Sequence, residues 1–320
     1  MMLTDDLLGA IADTLPAAGL YGMCATSTVW REATEDARRR ALLQMTRELV
    51  ARNDHSPQRI ARMQRLIECP DFALPDDLTS IGSYAFCDCR SLARIELPAG
   101  LTSIDSCAFD GCSFLAGIEL PSRLTSIGHS AFRMCSSLTT IRLLTGLTSI
   151  GHRTFYGCSS LATIELPDSL TSIADRAFGG CSSLVTIVLP DRLTSIAVYA
   201  FGGCSSLTTI ELPADLTSIK YGSFKGCSSL TTIELPASLT YIGHRAFEGC
   251  SSLTTIKLPA SRTFIGNRAF EGCSSLVTIA LPASLTPSAA TLMTLKLKHE
   301  SSGFDGTVTY LGIVMFATLG

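Results

Sequence analysis

A cysteine returns every 23 residues along most of the chain: Cys89, Cys112, Cys135, Cys158, Cys181, Cys204, Cys227, Cys250 and Cys273, without one insertion. Three residues before each stands a phenylalanine, from Phe86 to Phe270. Six residues after each stands an isoleucine, from Ile95 to Ile279, with a leucine two further on. A fixed period of this length is the signature of a solenoid, in which equivalent segments of successive units stack. A single unit buries too little apolar surface to offset the backbone entropy of ordering its 23 residues. Units must therefore share one continuous core with their neighbours.

Within a unit, the run Leu207 to Pro213 alternates apolar and polar residues around Ile210, as a half-buried strand does. Pro213 then ends pairing because it lacks an amide donor. Leu216 to Ile219 forms a second, shorter extended piece. Between Ile219 and Cys227 the chain must turn, and a glycine before most of the cysteines favours a tight turn over a longer helix. Counting back one period from Ile95 and Leu97 reaches Phe72 and Leu74, with Pro75 in register, so a half-unit opens the array. At the far end, Leu292, Leu295 and Leu297 restore the strand pattern early, and residues 298–320 read as a cap or tail. The solenoid is thus expected over 69–297, mostly β with short turns.

Composition narrows the function classes. The chain is 46% hydrophobic and 17% charged with a net charge of -3, which removes disorder and the basic signature of a nucleic-acid binder. No run of 18 apolar residues predicts a membrane span. The acidic start, MMLTDDLLGA, does not read as a secretory leader, so a cytoplasmic or nuclear location with reduced thiols is expected.

The unit L-T-S-I-x-x-x-A-F-x-x-C-S-S-L-x-x-I-x-L-P resembles the leucine-rich repeats of the BspA-like type. It departs from the general leucine-rich pattern, since Gly100, Arg123 and Asp215 stand where an asparagine or cysteine would. The resemblance implies a curved solenoid with a parallel sheet and a protein-binding role.

Residues 1–68 form a small helical segment ahead of the solenoid. Leu3, Leu7, Leu8, Ile11 and Leu15 fall on one helical face, and a charged helix runs from Trp30 to about Arg52. Residues 53–68 read as a connecting helix, with Ile60, Met63 and Ile67 at helical spacing. Over 1–52 the pattern resembles an F-box, carried by Leu3, Asp6, Leu7, Leu8, Ile11, Leu15, Pro16, Leu20, Trp30 and Arg31; Thr4, Thr26 and Ser27 depart from it. That resemblance implies docking to the adaptor of an SCF-type ubiquitin ligase through Leu7, Leu8, Ile11, Leu15, Pro16 and Leu20. The alternative is a helical cap on a plain binding or adhesion solenoid.

The chemistry-bearing residues fit structural roles better than catalytic ones. The cysteine column lacks the paired C-x-x-C spacing of zinc sites and suits small buried hydrophobes. His129, His152 and His244 share a column with Asp175, Val198, Tyr221 and Asn267, which reads as a solvated surface. No cofactor, metal site or catalytic residue is expected. The outward column of the longer strand is Glu96, Glu119, Arg142, Glu165, Val188, Glu211, Glu234, Lys257 and Ala280, flanked by a threonine column. This mildly acidic face is the expected docking surface for a protein target. The L-T-S-I threonines are placed to hydrogen-bond along the stack.

Overall fold

The computed structural model describes residues 42–44, 46–47, 49–51, 56–68, 72–259, 263–281, 307–310 and 313–315. The repeat coils into a β-solenoid whose rungs are one period apart. Its longer rungs are the strands Thr140–Arg142, Thr163–Glu165, Thr186–Val188, Thr209–Glu211, Thr232–Glu234, Thr255–Lys257 and Thr278–Leu281. Pairing is parallel and in register by one unit, with Thr209 opposite Thr232 and Ile210 opposite Ile233. A second row holds two-residue strands, from Ser80–Ile81 and Ser103–Ile104 to Tyr241–Ile242 and Phe264–Ile265, again parallel and one period apart.

The third side is also hydrogen-bonded along the axis, although it is made of turns. Phe109 N–H donates to the Ala131 carbonyl at 2.8 Å and Phe178 N–H to the Ala200 carbonyl at 2.9 Å. Two residues per coil adopt left-handed backbone to make this side. One column runs Tyr84, Cys107, Ser130, Arg153, Arg176, Tyr199, Gly222, Arg245 and Arg268, at φ between 53° and 61°. The other is the residue before the cysteine, at φ 74–80° wherever it is glycine, as at Gly157 and Gly203. There the sequence supplies glycine because a side chain strains that conformation, and Asp88 and Met134 are the exceptions.

Inside, Phe86 through Phe270 form one stack, with neighbouring ring centroids 5.1–5.6 Å apart and planes within 8° of parallel. Beside it, the cysteines from Cys112 to Cys273 are buried, and each thiol donates to the phenylalanine carbonyl of the preceding coil at 3.0–3.2 Å. The Phe132 carbonyl, for instance, accepts both the Cys135 amide at 3.3 Å and the Cys158 thiol at 3.1 Å. Both lone pairs of a buried carbonyl are thereby used. Hydroxyl ladders add to this outside the core: Thr102 Oγ1 donates to the Thr79 carbonyl and Ser182 Oγ to the Ser159 carbonyl. The expected threonine ladder is therefore present.

The array opens as its half-unit predicts. Leu74 is buried, and Phe72 packs edge-on against Phe86 with centroids 6.4 Å apart. The helix Pro57–Ile67 and the helical residues between 42 and 51 close this end. Leu42, Leu49, Val50, Met63 and Leu66 are buried in the same core as Leu78, Ile81 and Phe86. Gly82 N–H donates to the Val50 carbonyl at 3.0 Å, Gln64 Nε2 to the Asp88 carbonyl at 2.7 Å, and Arg47 pairs with Asp77 at 2.7 Å. The described residues between 42 and 67 thus cap the first coil, and those up to 51 belong to the stretch that resembles an F-box. At the other end, Thr307–Tyr310 pairs in parallel with Thr278–Leu281, and Ile313–Met315 turns back antiparallel upon it. The strand expected over Leu292 to Leu297 lies outside the described residues.

A candidate binding face on the longer strands

Every longer rung from Thr140–Arg142 to Thr255–Lys257 buries its central isoleucine and exposes the residue on either side. The pleat forces this alternation, since neighbouring side chains leave a strand on opposite faces. Stacking at one-period register then lines up the exposed positions into two columns. One is threonine from Thr140 to Thr255; the other holds Arg142, Glu165, Val188, Glu211, Glu234 and Lys257. Glu96 and Glu119 are exposed in the same column.

Charge along the column is unevenly paired. Arg142 sits opposite Glu165 and bonds it at 2.9 Å, with both side chains largely in solvent. Such a pair contributes about 0–1 kcal/mol. Glu211 and Glu234 occupy neighbouring rungs and repel. Val188, opposite Glu211, is 78% exposed, the most exposed large apolar side chain among the described residues. Across the first three coils the face opens into a groove of about 950 Å³, floored by Ile95, Ile118 and Ile141 and rimmed by Arg94, Glu96, Glu119 and Arg142. Gly117 stands there in the threonine column, and a side chain at that position would meet open space.

The turn side has a different character. Asp110 pairs with Arg133 at 2.9 Å, and burial pushes the Asp110 carboxyl above its ordinary value against the pull of that guanidinium. Lys225 and Arg245 both reach Glu248, at 3.0 and 3.5 Å. Arg176 lies over the Tyr199 ring at 5.1 Å, and on the row of two-residue strands Lys220 lies over the Tyr241 ring at 5.4 Å.

The histidine column does more than meet solvent. His129 Nδ1 accepts the His152 amide at 3.0 Å, and His244 Nδ1 accepts the Asn267 amide at 2.9 Å. Asp175 Oδ1 does the same for the Val198 amide at 3.1 Å. These side chains bridge coils where a backbone acceptor is missing, a role that a column this variable in sequence conceals. Burial pushes the thiols of Cys158, Cys204 and Cys273 up to about 12, which removes them as nucleophiles near neutral pH. Among the described residues no group of three or more His, Cys, Asp or Glu side chains could hold a metal ion. Nor is any described helix long and apolar enough to cross a membrane. The adaptor-docking residues expected from the F-box resemblance, Leu7, Leu8, Ile11, Leu15, Pro16 and Leu20, lie outside the described residues.

The match to a family of repeats agrees with this architecture. Residues 65–185 and 171–290 match the family described as BspA type leucine rich repeat region, in six copies. No curated protein matches the chain. Among solved structures, a leucine rich cell surface protein from Faecalibacterium prausnitzii A2-165 is 29% identical, covering 76% of this chain and 79% of its own, with a TM-score of 0.43. The T. pallidum leucine rich repeat protein is 30% identical, covering 59% of this chain and 86% of its own, with a TM-score of 0.49. A leucine-rich repeat protein from Bacteroides ovatus ATCC 8483 is 26% identical, covering 76% and 85%, with a TM-score of 0.34.

Proposed function

Because this chain belongs to the BspA type leucine rich repeat family, we propose that it is a protein-binding scaffold that holds its target against the face of the longer strands. The observation that carries this reading is the pair of exposed columns, threonine beside mixed charge, on parallel rungs. Such a face offers hydroxyl donors and acceptors at every rung and carboxylates at intervals. Both suit the polar or basic surface of another polypeptide. In this reading the scaffold acts by binding.

The finer reading is a substrate receptor in the cytoplasm or nucleus, in which Leu7, Leu8, Ile11, Leu15, Pro16 and Leu20 engage a ubiquitin-ligase adaptor. Its support is the resemblance of residues 1–52 to an F-box. The cap reading draws support from Leu42, Leu49 and Val50, which are committed to the solenoid core. An adaptor would then have to be held by the residues before position 42.

One capture experiment tests both readings with the full-length chain as bait. The target is expected on the parent and not on Glu211→Arg/Glu234→Arg; equal recovery on both would move the binding site off this face. The ubiquitin-ligase adaptor is expected on the parent and not on Leu7→Asp/Leu8→Asp. Absence of adaptor from the parent leaves the helices as a cap alone.

A further inference from the structure

An exposed trio on the strand face and a trio on another edge of the coil, Arg153 exposed and its two neighbours half-buried, carry complementary chemistry at the same spacing. On the strand face, three consecutive rungs present Val188, Glu211 and Glu234, in chain order. On the edge where the two-residue strands enter the turn, three consecutive coils present Arg153, Arg176 and Tyr199. Each trio advances 23 residues per step, so its members stand one strand spacing apart, about 4.8 Å. Among the described residues, neither Glu211, Glu234 nor Arg153 has an ion-pair partner, although Lys257 is the register neighbour of Glu234. Arg176 is spread over the Tyr199 ring and makes no bond to a carboxylate. The nearby Asp175 is occupied with the Val198 amide and lies 3.9 Å from His152.

We infer that the strand face of one copy docks on this edge of a second copy, with the two solenoid axes antiparallel. In that direction Val188 meets Tyr199, Glu211 meets Arg176, and Glu234 meets Arg153. Three features favour a second copy as occupant. Like charges on neighbouring rungs repel within each trio, and the opposing doublet relieves both repulsions at once. Val188, which has no apolar neighbour in its column, gains the outer edge of a half-buried aromatic ring that Arg176 already overlies. A second solenoid of identical period keeps these three pairs in step, whereas an extended peptide at about 3.3 Å per residue falls out of step. The inference rests on the strand face being a binding surface and names its partner as another copy of this chain.

The contact is charge-driven and exposed at its rim, so it weakens with salt. The test is sedimentation of the reduced full-length protein across a concentration series, at low and at high ionic strength. The parent is expected to self-associate at low ionic strength and to dissociate at high. Glu211→Arg/Glu234→Arg and Arg153→Glu/Arg176→Glu should each weaken association by about tenfold or more. Mixing the two variants should restore it, because each retains the half that the other lacks. The chain with all four reversals should associate like the parent. Circular dichroism of every variant checks that the solenoid is intact. A parent that stays monomeric at low salt overturns the inference, as does association that ignores both reversals. If only the glutamate variant loses association, the strand face binds but this edge is not its complement. Failure at the arginines therefore refutes the partner, and failure at the glutamates refutes the face.

Discussion

The buried thiols make the solenoid unstable in base, by an amount that follows from their environment. Cys158, Cys204 and Cys273 are pushed from an ordinary value of 9.0 to about 12, chiefly by burial. Cys112, Cys135, Cys181, Cys227 and Cys250 move well above 9.0 for the same leading reason. A group whose folded value is raised contributes stability that is fully present below its unfolded value and is lost as pH climbs toward the folded one. The window therefore opens near pH 9 and extends to about 12. At pH 10 an unfolded thiol favours unfolding by about 1.4 kcal/mol relative to neutral pH. Cys158, Cys204 and Cys273 together then contribute about 4 kcal/mol, and the other buried thiols add with the same sign. Domains have only about 5–15 kcal/mol in total, so the chain should unfold between about pH 10 and 11. Urea titrations followed by far-ultraviolet circular dichroism, under reducing conditions at pH 7, 9 and 10, measure the loss. Replacing all three cysteines with alanine lowers stability at pH 7, because each loses its bond to a carbonyl. It should also shrink the difference between pH 7 and pH 10 by about 4 kcal/mol. If that difference is unchanged, the thiols are not what the base titrates.

Three further perturbations probe the packing. Phe178→Ala removes a ring stacked on Phe155 and Phe201 at 5.6 and 5.4 Å and should cost about 3–5 kcal/mol in urea unfolding, with Phe178→Leu costing much less. Gly82→Ala would place a Cβ 2.5 Å from the Val50 carbonyl. It should cost about 1–3 kcal/mol and raise hydrogen exchange in Pro57–Ile67 before it does so in the central coils. Arg153→Gly relieves a left-handed residue at φ 54° and should leave stability unchanged or raise it by up to about 1 kcal/mol, whereas Arg153→Val should lower it.

Much of the fold could be read from the residues because each unit votes for the same arrangement. The phenylalanine and cysteine columns gave the core, and the alternation around Ile210 gave the exposed columns of the strand face. Phe72 and Leu74 marked the half-unit by period alone. Other features left no local signal. The left-handed column before the turn is filled by Tyr, Cys, Ser, Arg and Gly, so no residue type announces it. The thiol-to-carbonyl bonds depend on a carbonyl from the previous coil and appear only once the coils are stacked. His129 and His244 resembled surface residues because one atom, Nδ1, does the bridging while the ring stays at the surface. For the helix Pro57–Ile67, the apolar spacing predicted a buried side without saying what would cover it. The opposition of Glu211 and Glu234 to Arg153 and Arg176 was equally hidden, since those residues belong to different sides of the coil.

The central claim is that the longer strands form the docking face, and site-specific photo-crosslinking in cells tests it most directly. A benzophenone amino acid placed at Thr209 or Thr232, both exposed on the face, should link the chain to another polypeptide. The same group at Ala237, exposed on the corner after the strand, should not. Adducts from Ala237 with none from Thr209 or Thr232 would contradict the account.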